Sequence, residues 1–257
     1  MKLSFLQLNI NGDSFWEKLV PFLTSHDFDV LQLQEVTGKD TISGNNNSKR
    51  DCFAELQKIL GDKYHGELAI AERYTSSDSS YMGNATFYKK YFSLLKKNIV
   101  PLYQHEGRFS SEETTFEKVG RVLMHLTLAI HGTKLSLLNT HFAWARTPLQ
   151  QPHHTEQGEI LFNYLKTIPS PFIFSADMNI NPQQPLIQKI NTLAENLTSK
   201  NNITTTLNPR THLAKQLFPP GIAVDYIFVS SDLETKKFAV IEEDLSDHFG
   251  LTAEIEL

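Results

Sequence analysis

The chain has 257 residues, 40% hydrophobic, 11% aromatic and 21% charged, which is ordinary for a globular protein and excludes a low-complexity chain. Lys and Arg number 24 against 29 Asp and Glu, a net charge of -5, so the basic footprint of a protein that coats nucleic acid is absent. The single cysteine, Cys52, excludes an intramolecular disulfide, and no run approaches the roughly 18 apolar residues of a membrane-spanning helix.

Residues 3–8 are short and apolar-rich and predict a strand. Asp13-Ser14 predicts the cap of a helix through Phe15, Trp16, Leu19, Val20, Phe22 and Leu23. Residues 29–34 (DVLQLQ) read as a buried strand, and Asn45-Asn46-Asn47-Ser48 as a loop and cap before a helix whose one face is Phe53, Leu56, Ile59 and Leu60. After Gly61 come consecutive strands at residues 64–71, 81–88 and 92–100. Residues 122–130 and 134–139 flank His131-Gly132-Thr133, a hairpin signature. Residues 157–168 predict an amphipathic helix, 172–175 a strand and 186–197 another helix. Strands follow at 223–229, 237–241 and 251–255. Helices alternate with runs of strands in both halves, without a linker, which predicts one domain over residues 1–257 and a layered α/β architecture. Periodicity alone does not separate that from a doubly wound sheet. Asn-Ile-Asn recurs at residues 9–11 and 179–181, too short a match to claim a repeat.

The polar residues that carry chemistry sit in or just past the apolar strands: Asn9, Asn11, Glu35, His141, Asp177, Asn179, Asp225, Asp247 and His248. Any one of them is explained equally well as a surface group or a helix cap. Asp225 is harder to explain so, because it interrupts the apolar run 223–227 and a buried carboxylate is costly unless paired or metal-bound. Hydrolysis of a phosphate ester needs a hard cation on carboxylate oxygens, a base for water, and neutral or positive donors for the phosphate oxygens. Glu35 is the first choice as ligand, His248 oriented by Asp225 supplies the base, and Asn9, Asn179 and His141 suit the donor role.

Leu8-Asn9-Ile10-Asn11, Leu33-Gln34-Glu35-Val36, Asn139-Thr140-His141-Phe142, Ser175-Ala176-Asp177-Met178-Asn179, Val224-Asp225-Tyr226-Ile227 and Ser246-Asp247-His248-Phe249 occur in the order of the endonuclease/exonuclease/phosphatase family, which the sequence resembles over residues 3–255. Each motif alone is weak; six in order are not. The resemblance implies a four-layer α/β/β/α sandwich of two mixed sheets with the site at one end, and a magnesium-dependent hydrolase, with manganese as the other cation. It implies Glu35 as main metal ligand, Asn9 in the ligand shell or on the phosphate, and Asp247 on the metal directly or through water. Asp177 and Asn179 would position water and phosphate, Asp225 and His248 form the carboxylate–histidine pair, and His141 contact phosphate. Asn11 stands where many members have aspartate, which puts a second metal in doubt. AP-endonucleases usually lack a histidine at the place of His141, which turns the expectation away from abasic-site repair.

Arg121 resembles a phosphate-contacting arginine, and Trp144 and Arg146 lie where they would shape a substrate pocket. Arg210 and His212 are weaker candidates for the same cleft. His153-His154 with Glu156 beside Pro152 reads as a helix start rather than a metal site. The first expected substrate is nucleic acid; the alternatives are an inositol phosphate or sphingolipid head group, and, in another class, a catalytically silent binding module. The N-terminus lacks the form of a signal peptide, so a monomer in the cytoplasm is expected, with a secreted form whose signal has been removed as the alternative.

Overall fold

The structure is a computed structural model and describes residues 2–39, 50–74, 80–104, 118–213 and 221–257. The expected loop and cap at Asn45-Asn46-Asn47-Ser48 lies outside these residues. Chain order gives β1 (Lys2–Asn9), α1 (Trp16–Ser25), β2 (Val30–Lys39), α2 (Cys52–Leu60), β3 (Tyr64–Arg73), β4 (Ser80–Lys89), β5 (Ser93–Tyr103), β6 (Arg121–Ile130) and β7 (Thr133–His141). There follow α3 (Pro152–Leu165), β8 (Phe172–Asp177), α4 (Pro185–Ile190), β9 (Glu195–Asn196), α5 (Leu197–Lys200), β10 (Asp225–Val229), β11 (Glu234–Ile241) and β12 (Gly250–Glu256).

These strands make two mixed sheets, in the orders β11-β12-β1-β2-β4-β3 and β5-β6-β7-β8-β10-β9. In each, one central pair is parallel, β1 with β2 and β7 with β8. Three apolar clusters account for the layers. Leu3, Phe5 and Val30 of one sheet meet Met124, Leu137, Ile173 and Ile227 of the other. Leu6, Leu8, Leu31 and Leu33 pack on Trp16 and Leu19 of α1 and Leu56 of α2. Phe174, Tyr226 and Phe228 pack on Leu161 of α3 and Ile187 of α4. The α/β/β/α sandwich follows, because each sheet is apolar on both faces and needs a partner on each. No helix among the described residues is long and apolar enough to cross a membrane.

Period-2 alternation makes the space between the sheets change character along the strands. On β1, Leu3 and Phe5 face the other sheet in its apolar part, and Gln7 and Asn9 continue that face. On β2 the same face runs Val30, Gln32, Gln34; on β8, Ile173, Ser175, Asp177; on β7, Leu137, Asn139, His141. Register aligns the series, with Gln7 beside Gln32, Asn9 beside Gln34, Asn139 beside Ser175, and His141 beside Asp177. The inter-sheet layer is therefore apolar, then amide and hydroxyl, then acid and imidazole.

Three helix expectations are corrected. Asp13-Ser14 does not cap α1. Phe15 stands at its N-cap without a side-chain bond, after a turn in which Asn11 and Gly12 have φ of 51° and 59°. α3 begins at Pro152, five residues before the expected 157, because proline suits the first turn and His154 Nδ1 accepts the Gln151 amide at 3.0 Å. The helix expected at 186–197 is broken. Asn196 accepts from Ser199 N at 3.0 Å and starts the separate turn α5, while β9 pairs with β10.

Candidate active site

The acid and imidazole end of the inter-sheet layer is built from the ends of five strands. Asn9 ends β1, His141 ends β7, Asp177 ends β8, Asp225 begins β10, and His248 precedes β12. Glu35 enters through a bulge. The β2–β4 register breaks between Leu33 and Val36, and Glu35 takes a φ of 51°. A left-handed backbone costs a non-glycine residue roughly 1 kcal/mol or more, and here it aims the carboxylate at Asn9.

Asn9 ties two acids together. Its Nδ2 donates to Glu35 Oε1 at 3.1 Å and to Asp177 Oδ2 at 2.8 Å, while its Oδ1 accepts from Asn11 N at 3.0 Å. The oxygen expected in a metal shell thus serves the turn, and the amide holds the carboxylates. Asp177 Oδ1 in turn accepts from Asn179 N at 3.0 Å. Burial, then Asp247, raises Glu35 above the usual carboxylate range, and burial, then Asp225, pushes Asp177 up to about 7. Carboxylates crowded and buried in this way fit a divalent cation, whose charge relieves both effects. Donor atoms of Glu35, His141 and Asp177 lie within 4.8 Å of one another, as do those of Asp177, Asp225 and His248, and those of His212, Asp247 and His248.

His248 Nδ1 lies 2.9 Å from Asp225 Oδ2, and Asp225 is fully buried. A carboxylate accepts, so Nδ1 carries the hydrogen, and Nε2 faces Asp177 Oδ2 at 3.8 Å. Burial pulls the His248 pKa down, but Asp225, Asp177 and Asp247 overcome it and hold the imidazole well above its ordinary value. The opposite case is His141, kept well below its ordinary value by burial, then by Arg121 and His248. Arg121 NH1 stands 3.4 Å from His141 Nδ1. A guanidinium only donates, and on the other side of the ring Nε2 lies 3.5 Å from Asp177 Oδ2 and 3.7 Å from Glu35 Oε1. Asn179 Nδ2 donates one hydrogen to Phe142 O at 3.0 Å and stands 3.1 Å from His141 Nε2, so each ring nitrogen faces a donor. The site therefore pairs one basic imidazole with one neutral imidazole.

Asn9, Glu35, His141, Asp177 and Asn179 are brought into one bonded group, the His248–Asp225 pair adjoins it across 3.8 Å, and Asp247 lies close enough to raise Glu35. Asn11 contributes its backbone turn. Arg121 is buried behind His141 rather than on the surface. Trp144 is half-buried and Arg146 exposed in the loop that follows His141. That loop is anchored by α3, since His154 Nε2 donates to Ala143 O at 2.7 Å and Ala143 N donates to Gln157 Oε1 at 3.4 Å. His154 is thus a structural residue. Arg210 turns away, bonded to Asp244 and Glu242 O, whereas the His212 ring stands edge-on to His248 at 5.9 Å. Sequence reasoning passed over Gln7, Gln34 and Asn139, which lie behind the acids; the signal was available as buried amides at alternate positions of otherwise apolar strands.

A profile described as the Endonuclease/Exonuclease/phosphatase family matches residues 6–248. No curated protein matches by sequence. Among solved structures, the chain is similar to an endonuclease/exonuclease/phosphatase from Bacteroides vulgatus, with TM-score 0.73 and 18% identity over 100% of this chain and 99% of that one. It is similar to the Bacteroides thetaiotaomicron mannosyl-6-phosphatase Bt3783, with TM-score 0.69 and 16% identity over 99% and 100% of the two chains. It is also similar to D. rerio TDP2 complexed with single-strand DNA product, with TM-score 0.70 and 18% identity over 100% and 99%.

Proposed function

The chain belongs to the endonuclease/exonuclease/phosphatase family of phosphate-ester hydrolases, and from that premise we propose that it is a magnesium-dependent phosphodiesterase whose substrate is nucleic acid. The observation that carries the mechanism is the buried His248–Asp225 pair with its Nε2 turned toward Asp177, beside a crowd of carboxylates. With a divalent cation on those carboxylates to offset the charge that holds the ring protonated, the neutral ring takes the proton of the attacking water at Nε2, and Asp225 holds it in the required tautomer. Asp177 and Asn179 position that water. His141 and Asn179 contact a phosphate oxygen, and Arg121 stands behind the His141 ring. Glu35, with Asp247 and the Asn9-held Asp177 beside it, holds magnesium or manganese, which when bound offsets charge developing on the phosphate. Trp144 and Arg146 line the substrate side of the loop after His141.

A small phosphate ester, such as a sugar or inositol phosphate, is the second reading. It is favoured by the net charge of -5, which suits a small substrate better than a long polyanion. The deciding experiment is magnesium-dependent product release from single- and double-stranded DNA, RNA, a sugar phosphate, an inositol polyphosphate and sphingomyelin, with His248→Ala as blank. Release from nucleic acid alone, lost in the blank, supports the first reading. Release only from a head group or sugar phosphate overturns it in favour of the second. A folded chain that neither binds magnesium nor releases any product overturns both and leaves a binding module.

A further inference from the structure

Behind the acids, the inter-sheet layer contains a bonded chain of amides whose direction is fixed at one end. Asn139 Nδ2 donates to two backbone carbonyls, Ala85 O at 2.9 Å and Leu33 O at 3.3 Å. A carbonyl only accepts, so the Asn139 amide cannot be flipped and its Oδ1 must accept. It accepts from Gln34 Nε2 at 2.7 Å. That leaves Gln34 Oε1 as an acceptor, and Gln7 Nε2 donates to it at 2.9 Å. The second hydrogen of Gln7 Nε2 goes to Asp225 Oδ1, also at 2.9 Å. Asp225 Oδ2 remains for His248 Nδ1. Gln7, Gln34, Asn139 and Asp225 are all fully buried, and the chain crosses between the sheets twice.

We infer that Asn139, Gln34 and Gln7 form a one-way amide relay that orients Asp225 and, through it, His248. They are positioning residues for the reaction, and Gln7 is the decisive one. A carboxylate bonded only to His248 is free to turn about its terminal torsion; Gln7 holds the other oxygen and fixes the plane. Because each amide's orientation is dictated by the one before it, two backbone carbonyls in β2 and β4 set the geometry at the far side of the layer. The same depth contains an internal control. Gln32 accepts from Ser175 Oγ at 2.5 Å and is equally buried, yet it is outside the relay.

The inference rests on the reading of His248 as the base, and its test has one arm that needs no activity. In proton NMR, the His248 Nδ1–H bonded to Asp225 gives a low-field signal, assigned by its loss in His248→Ala. Gln7→Leu is expected to shift or abolish that signal, and Gln32→Leu to leave it in place. Where hydrolysis is measurable, Gln7→Leu lowers kcat roughly 10–100-fold with KM little changed, the usual penalty for losing such a supporting bond. Gln34→Met keeps size and burial but removes both the donor facing Asn139 and the acceptor facing Gln7. It is expected to perturb the same signal from two links away, and it decides the matter if Gln7→Leu does not fold. An unchanged signal in folded Gln7→Leu or Gln34→Met overturns the relay. So does Gln32→Leu producing the same loss of signal, since that would make the effect one of layer packing. If no substrate is cleaved by the wild type, the function proposed above fails while the NMR arm still decides the relay.

Discussion

Asp177 and Asp225 are direct partners across one rung of the antiparallel β8–β10 ladder, and both side chains are buried in the inter-sheet layer. Burial penalises a charge there, and like charges on one rung repel in addition. The native carboxyl of Asp177, pushed up to about 7, therefore keeps a proton that the unfolded chain releases near 4. Without metal, stability falls as pH rises between those values. Asp177→Asn is expected to stabilise the metal-free fold by about 1–3 kcal/mol at pH 8 while reducing hydrolysis at least about 100-fold. Melting curves in EDTA and in magnesium check this. Magnesium should raise the wild-type Tm and close the gap; a variant that melts below the wild type in EDTA contradicts the account.

Glu35 carries two separable features, a carboxylate and a left-handed backbone. Glu35→Gln is expected to raise the magnesium concentration for half-maximal stabilisation or activity about 10-fold or more, because a ligand charge is lost. Glu35→Gly and Glu35→Ala both remove the group, but glycine adopts φ near 50° at little cost. Glu35→Gly should therefore be more stable than Glu35→Ala by about 1 kcal/mol, read from urea unfolding. Equal stabilities would show that the bulge carries no strain at this position.

His248 and Asp225 act as one unit in the proposed reaction. Each of His248→Ala and Asp225→Asn should remove most of kcat, and the double variant should lose little more than the worse single one. Losses that multiply in the cycle would show that Asp225 acts on something other than the His248 ring.

Much of this was legible in the sequence for one physical reason: an acid or amide inside an apolar run must have a partner. Asp225 stood out on that ground, Glu35 and Asp177 as strand-end acids within recognisable motifs, and the structure brings Glu35 and Asp177 together on Asn9 with Asp225 on the neighbouring rung. Strand positions were legible from period-2 alternation, and their pairing was not, because register depends on contacts between distant segments. The helix expected at 186–197 failed because Asn196 offers the backbone a local bond that competes with helix. The relay through Gln7, Gln34 and Asn139 needed both sheets in place, since its links join residues up to 218 positions apart. His154 reads in the sequence as part of a helix start, and its partner Ala143 O lies eleven residues away, where no spacing pointed.

His154 is also a group through which acid should destabilise the start of α3. Its Nε2–H donates to Ala143 O in either protonation state, but its Nδ1 accepts from Gln151 N, and that bond requires the neutral ring. Burial, with help from His153 and Arg121 and against the pull of Ala143 O, lowers its pKa to about 4. In the unfolded chain the ring titrates near 6.5. Between those values the unfolded state binds the extra proton, so stability is full above pH about 6.5 and falls as pH drops toward about 4. The contribution of this one group to the loss at pH 5 is about 2 kcal/mol. His154→Gln keeps a donor for Ala143 O and does not titrate. Urea unfolding at pH 7 and pH 5 should therefore show a smaller fall in the variant than in the wild type, by about that amount. An identical fall in both would assign the acid sensitivity to other buried groups.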